Sequence, residues 1–222
     1  MGIYGEVEQD MLRVFERWAD REAPYFESSR RAFEAAVRPR ACYAANPSQL
    51  EVEHMNLCYT EWFLFEYPLR GERSPLECFV GNPPADVSDS RLARLRELSE
   101  TQRFARFAIR DRSVETGDLL LVDLASGAEL PVHAGRACRR RSWREGTLSM
   151  RVARVDGLWM HVGRSLFYDR SPADAVGGGA APAVSEGWGV VGREPGKSAY
   201  LRFLHDVIGL GGAYAHTARV LA

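Results

Sequence analysis

The chain has 222 residues, 45% of them apolar and 27% charged, with a formal net charge of −1. This is ordinary globular composition, enough for one large domain or two small ones, each burying its own core. It excludes a membrane span, because no apolar run approaches the roughly 18 residues that one needs.

Charge is unevenly divided. Residues 1–100 carry 12 basic against 18 acidic residues, net −6, whereas residues 101–222 carry 17 against 12, net +5. That split predicts two modules and an anionic partner for the second. Every basic residue except Lys197 is arginine, so an arginine cluster has to stand out from a high background.

The first residues, with Glu6, Glu8 and Asp10, lack the basic start of a secretory leader, which predicts a cytoplasmic protein. Val7, Met11, Val14, Phe15 and Trp18 recur at spacings of three and four, the stripe of an amphipathic helix over about residues 5–21. A second helix is expected from about Tyr25 to Val37, with Phe26, Phe33 and Val37 inward. Ser48-Gln49-Leu50-Glu51 has the form of a capping box and opens a helix that Pro68 ends. Its residues are apolar on nearly every side, which predicts the central helix of a bundle. Ser74-Pro75-Leu76-Glu77 repeats the box for a short helix to Gly81, and a further helix is expected over residues 88–101.

The pattern then changes to period two. Phe107-Ala108-Ile109 and the runs at 119–122, 129–132, 148–155 and 158–162 read as short strands, with Ser126-Gly127 and Asp156-Gly157 as turns. Five such strands in so short a stretch predict a small antiparallel β-barrel of the OB or SH3 kind. Residues 171–187 are rich in Gly, Ala and Pro and read as a linker or loop, and a last helix is expected over about residues 198–208. The expected class is therefore α+β: a helical domain (1–103), a barrel-like module (104–170), the linker (171–187) and a C-terminal helical segment (188–222).

Glu61-Trp62-Phe63-Leu64-Phe65-Glu66-Tyr67, then Gly71, then Ser74-Pro75-Leu76-Glu77-Cys78-Phe79, resembles a block in a family of uncharacterised bacterial proteins. Some members of that family carry a short SEC-C zinc tail. This chain has no cysteine beyond Cys138, so the tail and its metal are missing. The resemblance implies a helical core block and no activity.

Four cysteines, Cys42, Cys58, Cys78 and Cys138, are scattered without a C-x-x-C pair and read as free thiols, with neither metal nor cofactor expected. Glu51, His54, Cys58 and Glu61 fall at offsets of three, four and three, on one helical stripe. Those residue types could ligate a metal or activate a thiol. The plainer reading is a polar stripe facing its neighbours, because no second cluster offers the missing ligands. Gly192-Arg193-Glu194-Pro195-Gly196-Lys197-Ser198 resembles a phosphate loop with one residue too few and a proline that has no amide to offer, so it reads as a turn. His133, His161 and His205 read as isolated structural histidines.

The most distinctive feature is Arg136, Arg139, Arg140, Arg141 and Arg144, five arginines in nine residues with Trp143 among them. Arginine is 28 of 222 residues, so about one in nine is expected. Guanidinium groups beside an aromatic ring suit phosphate contact and base stacking. The functional expectation is a non-catalytic binding or adaptor protein, its partner an acidic protein surface or the chain's own acidic half. The alternative is a nucleic-acid-binding regulator that uses residues 136–144. A metal-dependent enzyme built on the Glu51–Glu61 stripe is a distant third.

Overall fold

The computed structural model describes residues 3–21, 23–139, 146–168, 199–210 and 219–221. The chain divides into two units: Met1–Thr101 with Leu204–Ala215, and Gln102–Phe203 with His216–Ala222. Among the described residues no helix is long and apolar enough to cross a membrane.

The first unit holds α1 (Ile3–Arg21), α2 (Ala23–Val37), α3 (Ala41–Ala44), α4 (Gln49–Glu66), α5 (Pro75–Gly81) and α6 (Asp89–Thr101). Both capping boxes form. The Ser48 and Ser74 hydroxyls accept the amides of Glu51 and Glu77, and each glutamate accepts the amide of its own serine. From Met55 onward α4 buries Cys58, Tyr59, Glu61, Trp62, Phe63, Leu64 and Phe65. Phe15, Phe26, Tyr59 and Phe63 meet there mostly edge-to-face, a geometry that adds to plain burial. The first turns of α4 depart from the expectation of an apolar helix on every side: Leu50 and Leu57 are 74% and 48% exposed.

Two ties in this unit have no local sequence signature. Asp10, with a side chain only 5% exposed, receives Arg91 and Arg94 of α6. Residues 204–210 are stitched to residues 38–40: Pro39 bridges Gly209, Leu210 N–H donates to Arg38 O at 2.7 Å, and Arg40 N–H donates to Ile208 O at 3.0 Å.

The second unit is a sheet of β1 (Arg103–Ser113), β2 (Asp118–Asp123), β3 (Glu129–His133), β4 (Gly146–Val155), β5 (Leu158–Tyr168) and β6 (Arg219–Leu221). Its order is β3-β2-β1-β4-β5-β6, antiparallel throughout that order. Asp156 and Gly157 both have positive φ, 51° and 81°, which suits the tight β4–β5 hairpin read from the sequence. Phe107, Ile109, Leu119, Leu121, Leu130, Val132, Leu148, Met150 and Val152 form one core with Cys138.

The expected barrel is overturned. A barrel needs a continuous ladder around its whole circumference. Here β3 and β5 share a single parallel pair, His133 with Met160. Further along β5, Ser165–Phe167 pair with β6, a sixth strand that the sequence pattern did not predict. A 3-10 helix (Gly135–Arg139) interrupts the strand half between β3 and β4, and the helix expected over about residues 198–208 follows β5 as α7 (Ala199–Val207). Tyr200 and Phe203 of α7 pack on Phe104 of β1, with ring centroids 5.0 Å away in each case. Arg151, only 1% exposed, donates to Gln102 and lies over the rings of Phe104 and Tyr200.

Candidate functional site

The arginine segment begins on a fixed base. Arg136 lies within the 3-10 helix, and Arg139 ends it, exposed. Arg140, Arg141, Trp143 and Arg144 lie outside the described residues, as do the 171–187 stretch and the phosphate-loop-like 192–198. Between the two described arginines, Cys138 is buried completely. Its thiol donates to Ser113 O at 3.3 Å and lies 3.4 Å from Asp118 O, while Arg112 Nη1 donates to Cys138 O at 3.2 Å. Burial pushes the Cys138 thiol above its ordinary pKa, so it remains a proton donor to these carbonyls.

The approach to that base requires glycine on both sides. Ala134 and Gly135 amides both donate to Gly117 O. Gly117 has φ +81°, and a Cβ on it would come within 3.1 Å of the Gly135 backbone. The far end of the segment is equally fixed, because Gly146 opens β4 at φ 122° and Thr147 behind it is fully buried. The described residues on either side, Arg139 and Gly146, are thus both held at constrained points.

Beside the base, Asp118 Oδ1 lies 2.8 Å from His133 Nδ1, across the β2–β3 ladder. Hydrogen bonds from Thr116 and then His133 hold the Asp118 carboxyl below the usual carboxylate range. His133 is therefore not isolated from acidic company, as its sequence context suggested. The signal was present in the hairpin: counting outward from a turn centred between Ala125 and Ser126 sets Asp118 opposite His133. Arg110 pairs with Glu129.

In the other candidate, the α4 stripe, Glu51 and His54 already engage neighbouring residues. Glu51 is engaged in the Ser48 cap, whose hydrogen bonds lower its pKa. His54 Nδ1 lies 3.1 Å from the Tyr43 hydroxyl, and burial raises the Tyr43 pKa. Cys58 and Glu61 are buried. Among the described residues no group of three or more His, Cys, Asp or Glu side chains is placed to hold a metal ion.

No protein-family model, no curated protein and no solved structure matches the chain.

Proposed function

We propose that this is a non-catalytic binding or adaptor protein whose second unit presents residues 136–144 to a negatively charged partner surface. The observation that carries the reading is the clamp under the segment: Cys138 between two carbonyls, Arg112 on its own carbonyl, and the Gly117–Gly135 approach. A fixed base lowers the ordering entropy that a binding loop loses when it engages. Four scattered cysteines without a C-x-x-C pair support a cytoplasmic setting. Trp143 among the arginines favours a second reading, single-stranded nucleic acid, in which the indole stacks on a base and the arginines meet phosphates.

Titration of the full chain with poly-glutamate and with single-stranded DNA, each at two salt concentrations, tests both. Binding that weakens with salt and is lost when Arg139, Arg140 and Arg141 become Ala supports the proposal, and the tighter ligand identifies the partner class. Binding of DNA that weakens further in Trp143→Ala, by about 1–3 kcal/mol, selects the nucleic-acid reading. Failure to bind either polyanion at about 50 mM salt rejects both.

A further inference from the structure

A second recognition feature lies in the first unit, in a groove of about 410 Å³ between α2 and α4 lined by Phe26, Glu27, Arg30, Arg31 and Asn56. Its floor is rigid. The buried Tyr59 hydroxyl lies 2.6 Å from Ser29 Oγ and donates to Phe26 O. The Arg30 guanidinium sits 4.8 Å above the Tyr59 ring, and its Nε and Nη1 donate to Glu34 and Asn56 Oδ1 at 3.0 and 3.1 Å. Three contacts thus fix the plane of this guanidinium and leave Nη2 for a ligand. Anchoring Asn56 by its oxygen leaves its amide nitrogen as a donor at the same place. Arg31 is exposed and pairs with no carboxylate among the described residues.

We infer that this groove binds a small monocarboxylate with a flat apolar body. A carboxylate has the planar, two-oxygen geometry that guanidinium and amide donors match. The net charge of the ligand follows from the lining. Glu34 balances Arg30 and Glu27 balances Arg31, so the lining is neutral overall and carries one added negative charge more readily than two. A monoanion is therefore favoured over a phosphate dianion. The Phe26 ring, half-buried against Tyr59 at 5.4 Å, supplies the apolar wall.

The test is an NMR titration of the full chain with benzoate, reading the Arg30 and Arg31 Nε–H and Asn56 side-chain signals, with benzamide and inorganic phosphate as controls. Benzoate should shift these signals saturably, in the roughly millimolar range that so small a ligand reaches. Benzamide, which has the same shape without the charge, should bind at least about tenfold more weakly, and phosphate likewise. Arg31→Ala removes an exposed side chain, and should weaken benzoate by about tenfold while the melting temperature is unchanged. No saturable shift by about 50 mM benzoate, equal binding of benzamide or phosphate, or unaltered affinity in Arg31→Ala would each overturn the inference.

Discussion

Asp10 of α1 and Arg94 of α6 are 84 residues apart in the chain, yet Arg94 Nη2 donates to Asp10 Oδ2 at 2.7 Å. Arg91 Nε holds the other oxygen at the same distance, and Glu6 lies 3.2 Å from Arg94 Nη1. The carboxylate is nearly buried and the arginines are partly exposed, so the network is worth more than a surface pair.

Asp10→Ala should therefore destabilise the helical unit. It leaves two part-buried guanidinium groups with Glu6 as the remaining carboxylate of the network. We expect a loss of about 1–3 kcal/mol, below the full cost of breaking a wholly buried pair. Urea unfolding followed by circular dichroism measures it. A change under about 0.5 kcal/mol would mean the pair is no better than an exposed one.

Gly209→Ala should loosen the stitch between residues 204–210 and 38–40. A Cβ there would lie 2.7 Å from His205 Cα, 2.8 Å from His205 O and 2.9 Å from Val37 O, all backbone atoms that cannot turn away. Overpacking of this kind costs about 1–3 kcal/mol. The Arg40 and Leu210 amides, which bond across the stitch, should exchange with deuterium faster in the variant than in the parent.

The cysteines should alkylate in a set order. Cys42 is exposed, whereas Cys58 and Cys138 are wholly buried, and burial raises the pKa of Cys138. Only thiolate reacts, so both exposure and a low pKa favour attack. Brief iodoacetamide treatment of the native chain should label Cys42 first and leave Cys138 unmodified until denaturant is added. Early labelling of Cys138, seen by mass spectrometry, would contradict the clamp beneath the arginine segment.

Asp118 should titrate below the ordinary aspartate value of about 3.9. Its folded pKa is depressed, so the stability it contributes is present above the unfolded pKa and fades as pH falls through the folded one. His133→Ala removes the smaller of the two hydrogen bonds named for it. The carboxyl should then titrate higher, yet stay below the ordinary value because the Thr116 bond remains. Carbon-13 NMR of the side chain reads both; an unmoved pKa in the variant would show that the 2.8 Å contact is electrostatically idle.

What the amino-acid sequence determined by itself was local. Ser48 with Glu51, Ser74 with Glu77 and Asp156 with Gly157 place both partners of the interaction within a few residues, so their chemistry specifies the helix start or the turn directly. The excess of arginine at 136–144 was equally plain, as was the switch from helical to alternating period near residue 104. Tertiary structure alone decided the rest. Asp10 finds Arg94, Val37 receives Gly209 and β5 receives β6 from across the chain, and no spacing rule links such residues beforehand. The same distance explains the mistaken barrel. Alternation shows that strands exist and which faces are apolar, but closure depends on which edges meet. Here β3 and β5 meet at one pair only, His133 with Met160, and residues 219–221 join β5 at Ser165–Phe167 from more than 50 positions beyond its last residue, Tyr168.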